Sequence, residues 1–297
     1  MAAIICLGIA VRDLVFRVDS LPSQPGKLTA RSLQRVGGGM SASASVAAAR
    51  LGATVAFWGR LGDDVEGHAL RAELRSYGIS VPAPAEPGTQ TPTAAVLVAA
   101  NGERLLAVYR GELNDSADWL PLSQVEQARA VLADFRWPTG ARRLFAAARA
   151  QRIASVLDAD MGDPDGVRSL LPHVQHAVFS EAGLAQAAGH TDVDAALRQM
   201  HALGPAVVGV TLGERGSQFL LDGVIHHVPA IPVLAQDTNG AGDVFHGAYT
   251  LALAEGQGVL DAARFASAAA ALKCRNGTGW AASPDRAAVH QLMKELP

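Results

Sequence analysis

The stretch Asp237-Thr238-Asn239-Gly240-Ala241-Gly242-Asp243 sets two acids around two glycines and an alanine, directly ahead of the apolar run that begins at Val244. Glycine lets backbone approach a ligand with no Cβ in the way. A helix starting near Ala241 leaves amide N–H groups unpaired at its end, and those groups with the helix dipole favour negative charge. Asp243 then stands where it can accept a proton from an attacking hydroxyl, while Gly240, Ala241 and Gly242 hold developing charge. That is the positioning work phosphoryl transfer requires. The plain alternative is that Asp237 or Asp243 is an ordinary N-cap.

Two further glycine clusters carry chemistry. Gly37, Gly39 and Ala42 fit G-x-G-x-x-A, with Asp63 and Asp64 downstream, the pattern of a dinucleotide fold. The preceding residues alternate polar and apolar instead of forming a buried strand, so a nicotinamide dehydrogenase is the lesser reading. The better one is that Gly38 and Gly39 let a polyhydroxyl substrate lie against bare backbone. Thr211, Gly213 and Gly216 follow the apolar "AVVGV" and form either a tight turn or a nucleotide contact. H-E-x-x-H, C-x-x-C and G-x-S-x-G are absent, and Gly26-Lys27 lacks the rest of a Walker A loop. His246 inside a helix reads as structural.

The elements that must hold these residues alternate. Apolar strand-like runs at 4–11, 54–62, 153–160 and 206–210 are separated by helix-like segments such as 41–52 and 64–78, with a helical final third. The pattern predicts an α/β fold, doubly wound, with a mostly parallel sheet flanked by helices. Two segments, 12–36 and 91–112, break it with alternation and turn signals. Asn101-Gly102 between apolar runs is a hairpin signal. Together these excursions predict a small β-sheet lid beside the crevice. Of 297 residues 49% are hydrophobic, enough for a large core, and the net charge of −3 gives no basic footprint for nucleic acid. No apolar run spans a membrane. The two cysteines, Cys6 and Cys274, suit buried thiols in a reducing cytoplasm.

"DTNGAGDVFHGAY" and "GGGMSASASVAAARLGATVAFWGRLGDDVEG" resemble the C-terminal and N-terminal signatures of the ribokinase-like (PfkB-type) carbohydrate kinases, and the likeness covers nearly the whole chain. The resemblance implies one kinase domain over 1–297, ATP, Mg²⁺, room for a monovalent cation, and transfer of the γ-phosphoryl group to a sugar hydroxyl. By position, Asp243 matches the general base and Gly240, Ala241 and Gly242 the anion hole, with Thr238 beside it. Asp13, at the end of the first strand, matches an acid that binds sugar hydroxyls, and Gly38 and Gly39 the substrate-side pair. Thr211, Gly213 and Gly216 match the nucleotide loop, and Asn276 and Gly277 the segment flanking adenine.

Two positions depart from the family pattern. Ser43 stands where an Asn is usual, and "SEAG" replaces the N-x-x-E motif, leaving Glu181 as a candidate metal residue; Asp237 is a candidate to organise its turn or a cation. "PSQPGKLTAR", "VLADFRW", "FSEAGLA" and "DVFHGA" look most like the sulfofructose kinase branch. Lys27 and Arg136 suit an anionic sugar, with Arg110 following Val108 where that branch has Asn. The expected reaction is phosphorylation of a primary hydroxyl of a ketose, 6-deoxy-6-sulfofructose being the candidate. Another sugar, a sugar phosphate or a nucleoside is the alternative within the family; a non-catalytic sugar-binding protein and the dehydrogenase lie outside it. A homodimer through the lid is also expected.

Overall fold

The computed structural model describes residues 3–295. In chain order the elements are β1 (Ala3–Ile9), β2 (Val11–Arg17), β3 (Ser32–Gly38), α1 (Met40–Arg50), β4 (Thr54–Gly62), α2 (Val65–Ser76), β5 (Ala85–Glu86), β6 (Thr93–Val98) and β7 (Arg104–Tyr109). They continue with β8 (Ala130–Asp134), α3 (Pro138–Ala150), β9 (Ala154–Ala159), α4 (Pro164–Leu170), β10 (His176–Ser180), α5 (Glu181–Ala188), α6 (Val193–His201) and β11 (Val207–Thr211). The last are β12 (Ser217–Leu221), β13 (Val224–Val228), α7 (Ala241–Ala254), α8 (Val259–Asn276) and α9 (Arg286–Lys294).

The apolar strands are apolar on both faces because helices cover both. Ile4 and Cys6 of β1 pack with residues of α1, α2, α7, α8 and α9, whereas Ile5 and Leu7 pack on the side of α3, α4, α5 and α6. The main sheet has the order β13-β12-β11-β10-β9-β8-β1-β4-β5, parallel except where β12 and β13 turn back. Strand order reverses at β1, with β8 on one side and β4 on the other, so a crevice opens at the carboxyl ends there.

The second sheet, β3-β2-β6-β7, is the lid, with its own small core of Val11, Val15, Ala94 and Val96. The apolar run at 4–11 is not one strand. β1 ends at Ile9, whose amide donates to Asp134 at 2.8 Å, and after Ala10 the chain enters the lid as β2. Asp13 therefore belongs to a lid strand and not to the end of the first core strand. Of the two cysteines Cys6 is buried and Cys274 only half-buried; both are free. Among the described residues no helix is long and apolar enough to cross a membrane.

Candidate active site

Five helices, α2, α4, α5, α6 and α9, begin with an Asp or Ser side chain accepting from a backbone amide. α1 and α7 do not. Each starts on a glycine in positive-φ backbone, Gly39 at 91° and Gly240 at 75°, with no side-chain cap. Both of these bare N-termini open on one cavity of about 280 Å³. Asp243 lies one turn into α7 and caps nothing, which removes the N-cap reading.

The amides of Gly242 and Asp243 meet no acceptor among the described residues, and a Cβ on Gly242 would face open space. The amide of Ala241 donates to Thr238 O at 3.3 Å, which takes that member out of the expected anion hole. Asp13, Gly38, Gly39, Ser43, Gly240, Gly242 and Asp243 all line this cavity. Two glycines of the cluster also make room for side chains of the site. A Cβ on Gly38 would lie 2.5 Å from the Asp13 carboxylate, and one on Gly37 would lie 2.4 Å from the Trp280 ring. Gly37 and Gly38 also belong to lid strand β3, not to a buried parallel strand, which removes the basis of the dinucleotide reading.

Several residues that shape the site had no motif to announce them. Asp160, Lys273 and Trp280 line the cavity, and Trp280 Nε1 donates to Ser43 Oγ at 3.0 Å. Asp134 is fully buried at the end of β8 and accepts from the amides of Ile9, Ser41 and Arg136 at 2.8, 3.1 and 2.9 Å. It thereby ties the end of β1 to the start of α1. Gly8 leaves space for it, since a Cβ there would sit 2.1 Å from its carboxylate.

Beneath α7, His246 is 3% exposed. Its Nδ1 lies 2.7 Å from Gly242 O and 3.4 Å from the Asp158 carboxylate, and its Nε2 lies 3.1 Å from Val178 O. Burial holds its pKa below the ordinary histidine value, outweighing the backbone acceptors Gly242 O and Val178 O that favour its proton. Burial, then Asp158, push the Asp243 carboxyl up to about 8, while His246 and a hydrogen bond with Ser43 pull it down.

Other expected residues lie outside this cavity. Asn276 and Gly277 line a neighbouring, larger cavity of about 710 Å³ with Asp237 and lid residues Arg17 and Arg35; the Asn276 amide donates to Ala282 O at 3.1 Å. Gly213 has φ 60° and open space where a Cβ would be, whereas Gly216 is packed against Val228 O. Thr211 ends β11 beside that turn, and its Oγ1 donates to Phe179 O at 3.4 Å. Lys27 and Arg110 are exposed on lid segments. Arg136 donates to Met161 O at 3.1 Å and lies over the Phe135 ring at 4.4 Å. Glu181 pairs with Arg215 at the surface, and no cluster of three or more His, Cys, Asp or Glu side chains suited to a metal exists among the described residues. Nothing in that setting supports Glu181 as a metal residue.

The pfkB family carbohydrate kinase model matches residues 1–286. The chain is similar to a ribokinase of Bacillus subtilis (strain 168), 30% identical over 306 residues that cover 99% of this chain and 100% of the relative. A fructokinase of Klebsiella pneumoniae is 30% identical over 253 residues, 77% of this chain and 78% of that one. The structure of an Arabidopsis thaliana ribokinase complexed with ribose and ATP superposes with a TM-score of 0.87 at 25% identity, covering 100% of both chains. An uncapped α7 with Asp243 inside it, a covering lid and relatedness along the whole chain agree: this is an ATP-dependent kinase belonging to the pfkB family of carbohydrate kinases.

Proposed function

We propose that the chain phosphorylates a primary hydroxyl of a ketose carrying an anionic group at its far end, 6-deoxy-6-sulfofructose being the candidate. The observation that carries the sugar-kinase chemistry is that Asp243 and Asp13 share one small cavity with the bare start of α7. In this reading Asp13 accepts hydrogen bonds from sugar hydroxyls and Asp243 takes the proton of the attacking one. The unpaired amides of Gly242 and Asp243 hold the charge of the transferring group. Thr211, Gly213, Thr238, Asn276 and Gly277 contact ATP, and Mg²⁺ enters with the phosphates of ATP, its charge supplied there.

Support for an anionic sugar comes from Arg136, two residues past the end of β8 at the switch point, with Arg110 close enough for the two charges to repel. Two neighbouring cations suit a sulfonate or phosphate, outside the small cavity. A neutral ribose or fructose is the second reading, favoured by the ribokinase and fructokinase relatives. A screen of ADP release with ribose, fructose, fructose 6-phosphate and 6-deoxy-6-sulfofructose separates the two. Arg136→Ala and Lys27→Ala should raise KM about tenfold or more for an anionic sugar, losing a charge-assisted contact. An unchanged KM in both variants would leave the neutral-sugar reading standing.

We further propose a homodimer formed through the lid. β7 is an edge strand, and Leu105, Leu106, Val108 and Tyr109 on it are exposed, as is Leu33 on β3. An apolar edge of this kind is a template for strand pairing with a second copy. Reduced cysteines fit a cytoplasmic setting.

A further inference from the structure

The family resemblance leaves room for a monovalent cation near Asp237, and the side chains gathered there do not fit one. Both oxygens of its carboxylate are taken. Oδ1 accepts from Arg104 Nη2 and from the Asn239 amide at 2.8 Å, and Oδ2 accepts from Thr278 Oγ1 at 2.7 Å. The backbone oxygen of Asp237 accepts from Lys273 Nζ at 3.0 Å. Positive side chains thus reach the residue from two sides, Arg104 from lid strand β7 and Lys273 from α8. A third, Arg17 of β2, donates to Thr278 Oγ1 at 3.1 Å. A mobile cation placed among them would meet repulsion and compete for carboxylate oxygens that are already engaged.

Lys273 is unusual in its own right. It is 2% exposed, and the bond to Asp237 O is the only hydrogen bond of its ammonium among the described residues. An ammonium has three donors, so two have no protein partner, and the side chain lines the same cavity as Gly242 and Asp243. The turn it holds is the one that leads into α7. That turn also hangs from the end of α8, where Cys274 O accepts from the amides of Gln236 and Asp237 at 2.8 and 3.2 Å. At the Asp237 turn itself Lys273 and Arg104 outnumber Asp237 by one charge, whereas Asp13, Asp160 and Asp243 line the cavity beyond it.

We propose that Lys273 and Arg104 are built-in replacements for a monovalent cation, holding the Asp237 turn and supplying fixed positive charge beside the phosphoryl site. The enzyme then needs no added monovalent cation. Because Arg104 rides on β7, the charge is complete only with the lid docked as it is here. This inference rests on the assignment as an ATP-dependent kinase.

The test compares the full-length protein in KCl, NaCl and tetramethylammonium chloride at equal ionic strength. It reads kcat with whichever sugar supports turnover and, separately, ADP affinity by calorimetry. Both should be the same in the three salts. Lys273→Ala should lose about tenfold or more in kcat and regain part of it with ammonium or methylammonium, which fill the vacated charge position and leave the wild type unaffected. A saturable stimulation of the wild type by K⁺, or ADP binding tightened about tenfold by K⁺ over tetramethylammonium, overturns the proposal, as does a wild-type kcat in Lys273→Ala. The wild-type arms decide the question even if the variant fails to fold. Failure to form ADP with any sugar in any salt would count against the kinase assignment alone, since ADP binding still reads the cation.

Discussion

At the residue scale the chemistry turns on the protonation of Asp243. A proton acceptor must be ionised, and this carboxyl is pushed up to about 8 by burial and by Asp158. The kcat/KM profile should therefore show an acid limb with an apparent pKa near about 8, since that ratio reports the free enzyme. Ser43→Ala removes a hydrogen bond that favours the ionised carboxylate and should move the limb to higher pH. The same shift has a stability consequence. Between its ordinary value of 3.8 and about 8 the native carboxyl holds a proton that the unfolded chain has lost, so stability falls as pH rises across that window. Asp243→Asn should then lower kcat by about 10²–10⁴ and yet raise Tm at pH 8. Wild-type turnover in this variant, or a lower Tm at pH 8, would refute the role. Asp13, raised to about 6 mainly by burial, predicts that the sugar KM climbs as pH drops below that value while the ATP KM holds; equal changes in both would contradict it. Asp243 and the glycines at 240 and 242 could be gathered from sequence because a motif is local and its spacing survives there. Lys273 and Trp280 were not, since only the packing of α8 and its following loop against α7 and β3 brings them to the cavity. Asp160 carried a usable signal, the first position after a parallel strand, where ligands of α/β folds bind.

At the scale of elements the site depends on how closely α1 and α7 approach, since both aim bare N-termini at the cavity. Gly247 is the contact that permits this. A Cβ there would come within 2.3 Å of Ala44 O, a backbone atom that cannot step aside. Gly247→Ala should force the helices apart and cost about 1–3 kcal/mol, seen as a lower midpoint in urea unfolding. It should also lower kcat more than the sugar KM, because the cradle amides shift with α7; an unaltered midpoint would show that the two helices have slack. The alternation of strands and helices was readable since strands buried on both faces are near-continuous apolar runs and the helices between them end on glycine. The break after Ile9 was not readable. The residues at 4–11 stay apolar across it, and what diverts the chain is the distant Asp134 carboxylate, which takes the Ile9 amide. Part of the role of Gly37 and Gly38 was hidden for a similar reason. Sequence tells that a Cβ is missing, but only the fold tells that Asp13 and Trp280 fill the room.

For the whole molecule, the lid is both cover and candidate interface, and β7 joins the two roles. Its first residue, Arg104, reaches Asp237 across the crevice, while its later residues form an exposed apolar edge. Leu106 and Val108 share one face of the strand, two residues apart. If a second copy pairs there, the lid is braced from outside and Arg104 is held toward Asp237. Sedimentation should then give a dimer for the wild type and a monomer for the double variant Leu106→Lys, Val108→Lys, since lysines on an edge strand oppose pairing. Neither side chain belongs to the core, so Tm should change little. The monomer should nonetheless lose kcat, because the Arg104–Asp237 contact is no longer supported from beyond the lid. A wild type that sediments as a monomer at micromolar concentration ends the dimer proposal. A monomeric variant with full kcat instead separates the two roles, leaving Arg104 positioned by the lid's own pairing of β6 with β7 and not by a neighbour.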